Sequence, residues 1–298
     1  MQIIIPMSGE GARFKRVGYA ELKPLIKVDG KPIIEHVVNL FPGEENFIFI
    51  CREEHLQETN MREILLSLKP KARIISMPGE KLGPVFATAK AFHLIDDDEP
   101  AIVNYCDFFM NWNYADFKKT VLEINYDACL PVYTGFHPHL THEKNFYASV
   151  KVDLNGNLEE IREKFSYSLD KTQSMHSPGT HYFKYGKYVK KFFQELIDKK
   201  IDLNGEYYAS LVYNLLVKDG LKVGIYDKIN HFCQWGTPED LEEYNVWSNL
   251  FIRHGSDVEF HQIYTELITS SNDYIKSHSK DNLGKSFKYW SGFFKNLK

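Results

Sequence analysis

Cysteine is scarce in this sequence and shows none of the spacings that signal a structural role. Only four of the 298 residues are cysteines, no two of them form a Cys-x-x-Cys pair, and they have no histidine neighbours at zinc spacing. Zinc fingers and the disulfide frameworks of small secreted proteins both depend on such spacings. The pattern therefore predicts neither a structural metal site nor disulfides, and we expect a reducing cytoplasm. The four residues are Cys51, Cys106, Cys129 and Cys233.

Long apolar runs, internal repeats and low-complexity tracts are also absent. No stretch approaches the roughly 20 apolar residues of a membrane span, and the amino terminus lacks the pattern of a signal peptide. Neither sign of charge dominates, because 36 Lys and Arg face 40 Asp and Glu for a net charge of −4. A nucleic-acid surface needs clustered positive charge. We expect no membrane insertion, no nucleic-acid partner and a small-molecule ligand.

What is present is a strand and helix pattern typical of an α/β protein. Hydrophobic residues make up 43% of the chain, enough for one large domain or two small ones. Strand-like runs alternate with helical stretches through about residue 135, which predicts a mostly parallel sheet covered by helices. Ligands bind beyond the carboxyl ends of such strands. The runs are residues 3–5, 47–51, 73–77, 101–105 and 128–133.

The second half of the sequence has a different pattern. Residues 147–164 alternate around Asn155-Gly156, a strong hairpin signal, so we expect an antiparallel layer to begin there. Thr237 and Pro238 are typical of a helix start, as N-cap and first helical residue. From about residue 257 the chain is polar with scattered aromatics, and we expect a helical appendage that serves packing or homo-oligomerisation.

The first strand leads directly into a loop suited to phosphate. The apolar run ends at Pro6, and Gly9, Gly11 and Arg13 follow. Glycines let backbone N–H groups approach a ligand closely, and an arginine offers a planar fork of donors to phosphate oxygens. The glycines alone are equally consistent with a tight turn. The spacing is neither the dinucleotide fingerprint, which needs glycine at Phe14, nor a P-loop.

The segment after this loop contains two further motifs, and together with the loop they resemble the sequence pattern of a known family. Lys23-Pro24-Leu25 follows Arg13 by ten residues, and Gly30-Lys31-Pro32 comes next. With the glycines and the arginine, this combination resembles the opening signature of the nucleotidyltransferases that activate sugar phosphates. The resemblance extends to about residue 247. It implies a Rossmann-like three-layer sandwich with a mostly parallel mixed sheet, a small antiparallel acceptor-side layer and a C-terminal helical extension.

The resemblance also implies a domain division and a reaction. The nucleotidyltransferase domain would cover residues 1–250, with a nucleotide half to about 135 and an acceptor half after it, and the extension would cover 251–298. Such an enzyme transfers a nucleoside monophosphate from CTP or another triphosphate to a phosphorylated small molecule, with magnesium as cofactor and pyrophosphate as product. Its product would serve capsule or lipopolysaccharide synthesis.

Individual site residues are carried over where the motifs match. Arg13 and Lys23 would be catalytic, because cations neutralise the charge that builds up on the phosphates. Asp107 in "VNYCDFF" matches the aspartate that holds magnesium. The nucleotide-binding residues would be Met7, Ser8, Gly9, Glu10, Gly11, Pro78, Gly79 and Gly83. The acceptor-binding residues would be Glu163, Lys164, Gly179 and, as a weaker candidate, Glu206.

One departure from the family pattern keeps other functions open. Many relatives end with Trp-x-Asp-x-Gly-Thr, whose Asp is a second magnesium ligand, but here Gln234 stands at that position. This departure leaves a non-catalytic nucleotide-binding homologue as one alternative. A glycosyltransferase of the same fold is the other, although the glycine loop with Arg13 and Lys23 argues against it. His137 and His139 are interpreted as turn residues and not as a metal pair, because they lie two apart with no third ligand nearby.

Overall fold

A computed structural model describes residues 1–269 and 272–296 of the chain. The described strands are Gln2–Met7 (β1), Lys27–Val28 (β2), Lys31–Pro32 (β3), Asn46–Arg52 (β4), Arg73–Met77 (β5), Ala101–Asn104 (β6), Phe108–Asn111 (β7), Ala128–Pro131 (β8), Ser149–Val152 (β9), Leu158–Arg162 (β10), Met175–His176 (β11), Thr180–Phe183 (β12), Val223–Tyr226 (β13) and His231–Gln234 (β14). The described helices are Ala12–Arg16 (α1), Ile33–Val38 (α2), Glu53–Glu58 (α3), Met61–Leu68 (α4), Gly83–Ala89 (α5), Tyr114–Glu123 (α6), Gly186–Asp198 (α7), Ala209–Lys218 (α8), Pro238–His254 (α9), Phe260–Thr269 (α10), Asp273–Ser277 (α11) and Lys280–Asn296 (α12).

A mixed, mostly parallel sheet forms the centre of the molecule. Among the described residues it has seven strands in the order β13-β8-β12-β6-β1-β4-β5. β1 pairs in parallel with β4 and β6, β4 with β5, and β8 with β13, whereas β12 runs antiparallel between β6 and β8. The predicted α/β fold with a mostly parallel mixed sheet is confirmed.

The sheet separates two apolar cores, as expected for a strand set buried on both faces. Alternate residues of β1 point to opposite sides, so that Ile3 and Ile5 join one core and Ile4 joins the other. Helices α2, α6 and α9 cover the first face, and α5, α7 and α8 cover the second. This three-layer arrangement leaves the carboxyl ends of the parallel strands free to carry a site.

Small antiparallel sheets complete the fold. β9 pairs with β10 and β11, and the β9–β10 hairpin turns at the expected place, with Gly156 at φ 79°. β14 pairs with β7, and a bridge between Asn157 and Gly224 links the hairpin to the central sheet. β12 lies inside the central sheet, between β6 and β8, and so connects the two halves of the chain.

The C-terminal helices pack closely on the rest of the chain. Thr237 caps α9 by accepting a hydrogen bond from the Asp240 backbone N–H, as its sequence predicts. Trp290 and Phe293 of α12 are buried against the aromatic side chains of α9. The predicted boundary at residue 250 lies inside α9, and positions 270, 271, 297 and 298 of the predicted extension lie outside the described residues. None of the helices within the described parts of the chain combines the length and apolarity needed to cross a membrane.

Candidate active site

The loop after β1 folds back on the segment that carries Lys23. Gly11 has φ 65°, in the left-handed region, and its carbonyl accepts hydrogen bonds from the N–H groups of Phe14 and Lys15 at 3.0 and 3.2 Å. A Cβ on Gly11 would be in ordinary van der Waals contact with Cβ of Lys23, at 3.6 Å, so the two segments lie close together and the left-handed backbone is what favours glycine here. Arg13 belongs to the short helix α1 that begins there.

Lys23 forms an ion pair with Asp107 at the centre of the site. Its Nζ donates to Oδ2 of Asp107 at 2.8 Å, and the two side chains are 20% and 23% exposed. Burial acts to lower the pKa of Lys23, but the charge and the hydrogen bond of Asp107 outweigh it, so the net pKa is raised. Lys23 therefore stays positively charged, and the ion pair holds its side chain in place.

Asp107 and Gln234 flank a glycine at the junction of two strands. Gln234 pairs with Phe108 in the β7–β14 ladder, and the Trp235 backbone N–H donates to the Asp107 carbonyl at 3.0 Å. A Cβ on Gly236 would lie 2.9 Å from Oδ2 of Asp107 and 3.0 Å from Nε2 of Gln234. The two predicted metal positions are thus brought together by this ladder.

The side chains of Asp107 and Gln234 fit a metal ion that takes its remaining ligands from other molecules. A magnesium ion prefers several oxygen ligands, and the site offers one carboxylate, already neutralised by Lys23, and one amide oxygen. No group of three His, Cys, Asp or Glu able to hold a metal occurs among the residues described here. Asp240 does not add to the set, because it bonds to Thr237 and His142 at the start of α9.

A cavity of about 400 Å³ opens between these elements. Arg52, which the sequence did not single out, enters it, and Gly79 lies beneath the Arg52 guanidinium, since a Cβ there would be 2.0 Å from Cζ. Pro78 and Gly79 are not among the described residues that line it. Those predicted residues that do line it are Met7, Ser8, Gly9, Glu10, Gly11, Arg13, Lys23, Gly83, Asp107 and Glu206.

Gly83 fixes one wall of this cavity against the acceptor half of the chain. It has φ 87°, and a Cβ would lie 2.7 Å from both N and O of Tyr207. The Tyr207 backbone donates to the Leu82 carbonyl at 2.9 Å and accepts from the Val85 N–H at 3.1 Å. A side chain on Gly83 would push this two-bond connection apart.

The side chains of three predicted acceptor residues take part in two sets of hydrogen bonds. Lys164 Nζ donates to the Tyr208 hydroxyl at 2.7 Å, and Tyr208 in turn donates to Glu206. Ser210 donates to Glu163. Burial raises the pKa of Glu163 to about 7, although the bond from Ser210 and the charge of Lys164 oppose that shift.

A second cavity, of about 220 Å³, is lined by these side chains and adjoins the first. Gly179, with φ 105°, lines it and leaves room for the Tyr105 ring, whose Cδ2 would be 2.7 Å from a Cβ. Glu163, Lys164 and Gln234 also line it. Residues common to both cavities are Arg13, Tyr105, Asp107, Glu206, Tyr208 and Gly236.

His137 and His139 line neither cavity. Both are buried in an aromatic cluster, and Nε2 of His139 shares a 2.9 Å hydrogen bond with the Tyr133 hydroxyl. Burial lowers the pKa of His137 to about 3. Both lie in or beside the single-turn helix Pro138–Thr141, and they serve the core as well as the turn.

Sequence reasoning missed four side chains of the site: Arg52, Tyr105, Tyr208 and Ser210. Arg52 ends β4 and Tyr105 follows β6, so the strand-end rule could have suggested both. Tyr208 and Ser210 lie at the start of α8 and reach Glu206, Lys164 and Glu163 only through the fold. No local signal distinguishes them.

No protein-family model and no curated protein matches the sequence. Solved structures, in contrast, share its fold. The nucleoside-diphosphate-sugar pyrophosphorylase from Vibrio cholerae aligns over 82% of this chain and 100% of its own, with a TM-score of 0.66 and 21% identity. The inositol-1-phosphate CTP transferase from T. maritima aligns over 84% and 96%, with a TM-score of 0.61 and 15% identity. HddC from Yersinia pseudotuberculosis aligns over 83% and 99%, with a TM-score of 0.57 and 18% identity.

Proposed function

We propose that this protein is a nucleotidyltransferase that moves a nucleoside monophosphate from a nucleoside triphosphate to a phosphorylated small molecule and releases pyrophosphate. The observation that carries the proposal is the pair of adjoining cavities. One contains the glycine loop and Lys23, the other contains Lys164, and Arg13 and Asp107 line both. Two anionic substrates can therefore meet between the cations.

The reaction needs charge neutralisation more than proton transfer. An oxygen of the acceptor phosphate attacks the α-phosphorus of the triphosphate and forms a new P–O bond. The bond between the α-phosphorus and the oxygen that links it to the β-phosphorus breaks, and pyrophosphate leaves. The attacking oxygen is already ionised near neutral pH, because the second pKa of a phosphate ester is about 6. No general base is required of this site.

Each cation then has a distinct place. Lys23, held by Asp107, and Arg13 lie beside the glycine loop, where they stabilise charge on the triphosphate. Lys164 lies across the site on the acceptor side, where it binds the acceptor phosphate. The Arg13 guanidinium lies 5.9 Å from the centre of the Phe146 ring, a cation–π contact beside the second cavity.

Magnesium belongs to the proposal as a metal bound together with the nucleotide. Asp107 and the Gln234 amide oxygen would hold it, and it would supply positive charge to the phosphate oxygens. Because the protein offers one carboxylate, we expect weak magnesium binding without nucleotide.

The two alignments with an inositol-1-phosphate CTP transferase and a sugar pyrophosphorylase support a polyol or sugar phosphate as acceptor and CTP as one candidate donor. A cytoplasmic role in capsule or lipopolysaccharide precursor synthesis is part of the same proposal.

A matrix of substrates tests this function. CTP, UTP, ATP and dTTP are each mixed with α-D-glucose 1-phosphate, myo-inositol 1-phosphate, glycerol 3-phosphate and phosphocholine in the presence of magnesium, and pyrophosphate is measured. We expect release with at least one pair and none without the acceptor. Binding of triphosphate with no release from any pair would favour the non-catalytic alternative. Consumption of a nucleotide sugar without triphosphate would favour the glycosyltransferase.

A further inference from the structure

One buried histidine without any hydrogen-bond partner among the described residues lines the second cavity, on the acceptor side of the site. His181 lies in β12 and is 1% exposed, and neither of its ring nitrogens has a partner among residues 1–269 and 272–296. Its ring is tilted against those of Tyr105 and Tyr213, with centroids 5.5 Å away in each case. Glu163, Lys164 and Ser210 line the same cavity.

The position is otherwise suited to an apolar side chain. Phe183, two residues further along β12 and therefore on the same face of the sheet, belongs to the core and also contacts Tyr213. Burying a polar group without a hydrogen-bond partner destabilises a protein. A phenylalanine at position 181 would avoid that cost, so the imidazole is unexplained by packing alone.

The protonation state of the ring defines what it can bind. Burial lowers the pKa of His181 to about 3, so the imidazole is neutral at physiological pH. A neutral imidazole has one N–H donor and one acceptor nitrogen. A phosphate, which carries only acceptors when ionised, matches one of these nitrogens, whereas an alcohol can either donate or accept.

We propose that His181 is a specificity-determining residue that hydrogen-bonds a hydroxyl group of the acceptor while Lys164 binds its phosphate. This inference rests on the proposed function for the identity of the cavity as the acceptor site. It assigns the acceptor to the polyhydroxylated phosphate esters and disfavours phosphocholine and phosphoethanolamine, which carry no hydroxyl on their carbon chain.

Thermal shift measurements test this assignment without any need for turnover. Wild type, His181→Phe and His181→Gln are heated with and without glycerol 3-phosphate, α-D-glucose 1-phosphate or myo-inositol 1-phosphate, and with inorganic phosphate as a probe that has no carbon skeleton. We expect at least one of the three esters to raise the Tm of wild type and His181→Gln, whose amide keeps a donor and an acceptor. The same ester should bind His181→Phe about 10-fold more weakly, because one neutral hydrogen bond is lost.

The unliganded variants provide a second, independent readout. His181→Phe should melt about 2–6 °C above wild type, because the unpartnered polar group is gone. His55→Phe is the matched control, since His55 is also buried with an unpartnered Nδ1 in the described structure but lines neither cavity. It should leave the shifts produced by all four phosphates unchanged.

Some results would overturn the role of His181. Equal ester affinity in wild type and His181→Phe would do so, and so would failure of all three esters to shift the Tm of wild type. A preference for phosphocholine over these esters in the substrate matrix would also overturn it. Failure of the proposed function looks different: the esters would bind and respond to His181→Phe, but no pyrophosphate would appear with any triphosphate. Where turnover is found, His181→Phe should raise the KM for the acceptor and leave the KM for the triphosphate within about 2-fold of wild type.

Discussion

Lys23 and Asp107 define the site at the scale of single residues. Their 2.8 Å ion pair joins the loop after β1 to the end of β6, two segments 84 residues apart. Both groups are mostly shielded from water, so each charge acts strongly on its surroundings. We therefore assign two roles to Asp107. It holds Lys23 at the first cavity, and it would provide a carboxylate to a metal ion that binds together with the triphosphate.

The first prediction removes the central cation. Lys23→Met should lower kcat by about 100-fold or more, because charge on the triphosphate in the transition state loses its stabilisation. The variant should remain folded by circular dichroism. Lys31→Met is the control, since Lys31 is exposed and pairs only with Glu35 in the described structure. Near-wild-type turnover in Lys23→Met would show that another group neutralises the triphosphate.

A second prediction separates the two substrates. Lys164→Met should raise the KM for the acceptor about 10-fold or more and have a smaller effect on the triphosphate, because Lys164 lines only the acceptor-side cavity. Steady-state kinetics with each substrate varied in turn measures this. Lys151→Met on neighbouring β9, whose lysine pairs with Glu159 on the surface, should change neither value. Equal losses for both substrates in Lys164→Met would contradict the assignment.

Site residues were predictable from the sequence where a local pattern carries them. Gly9, Gly11, Arg13 and Lys23 form a spaced motif, and the structure brings them into one cavity. His181 and Tyr208 have no such pattern. A histidine in an apolar strand looks like a core residue, and only the tertiary contacts around the second cavity reveal that its ring is unpartnered.

At the scale of elements, the start of α5 connects the two halves of the site. Gly83 permits the backbone of Tyr207 to approach, and two hydrogen bonds close that contact. Glu206 and Tyr208, which precede and follow Tyr207 in the chain, line both cavities, so this connection helps to hold the walls of both cavities in place.

This contact yields a third prediction, about stability. Gly83→Ala should cost about 1–2 kcal/mol for the left-handed backbone and about 1–3 kcal/mol more for the clash with Tyr207. Gly43→Ala is the matched control, because Gly43 has φ 84° and open space around its Cβ position. Urea denaturation of both variants measures the difference. Equal losses would mean that the contact with Tyr207 adapts without cost.

Strands and helices were largely predictable, and their partners were not. Apolar runs rich in β-branched and aromatic residues indicate β1 and β4 directly, because buried parallel strands are largely apolar. The insertion of β12 between β6 and β8 depends on contacts more than 50 residues distant in sequence, which local patterns do not encode. The β7–β14 ladder, which places Gln234 beside Asp107, is hidden for the same reason.

At the scale of the whole molecule, the C-terminal helices support the site. The Tyr289 hydroxyl accepts a hydrogen bond from the Phe232 N–H at 3.0 Å and donates one to the Phe232 carbonyl at 2.9 Å, which holds the outer edge of β14. Trp290 donates to the buried carboxyl of Glu243 on α9 at 3.1 Å. The extension is therefore part of the fold that positions Gln234.

Glu243 gives a fourth prediction, about pH. Burial raises the pKa of Glu243 to about 8, although the Trp290 bond opposes it, and the ordinary value is 4.5. The folded protein then holds a proton that the unfolded chain releases, so this stabilisation is present below about pH 4.5 and is lost as pH rises to about 8. Glu243→Gln should reduce the fall in Tm between pH 5 and pH 8. An unchanged slope would place the pKa of Glu243 near its ordinary value.

In the proposed reaction an oxygen of the acceptor phosphate attacks the α-phosphorus of the triphosphate. The acceptor found active in the substrate matrix is prepared with ¹⁸O in its phosphate group and converted with unlabelled triphosphate and magnesium. Mass spectrometry and ³¹P NMR then locate the isotope. We expect all of the ¹⁸O in the nucleotide-linked product, including the bridge between its two phosphorus atoms, and none in pyrophosphate. Label in a released phosphate, or an unlabelled bridge, would contradict the account.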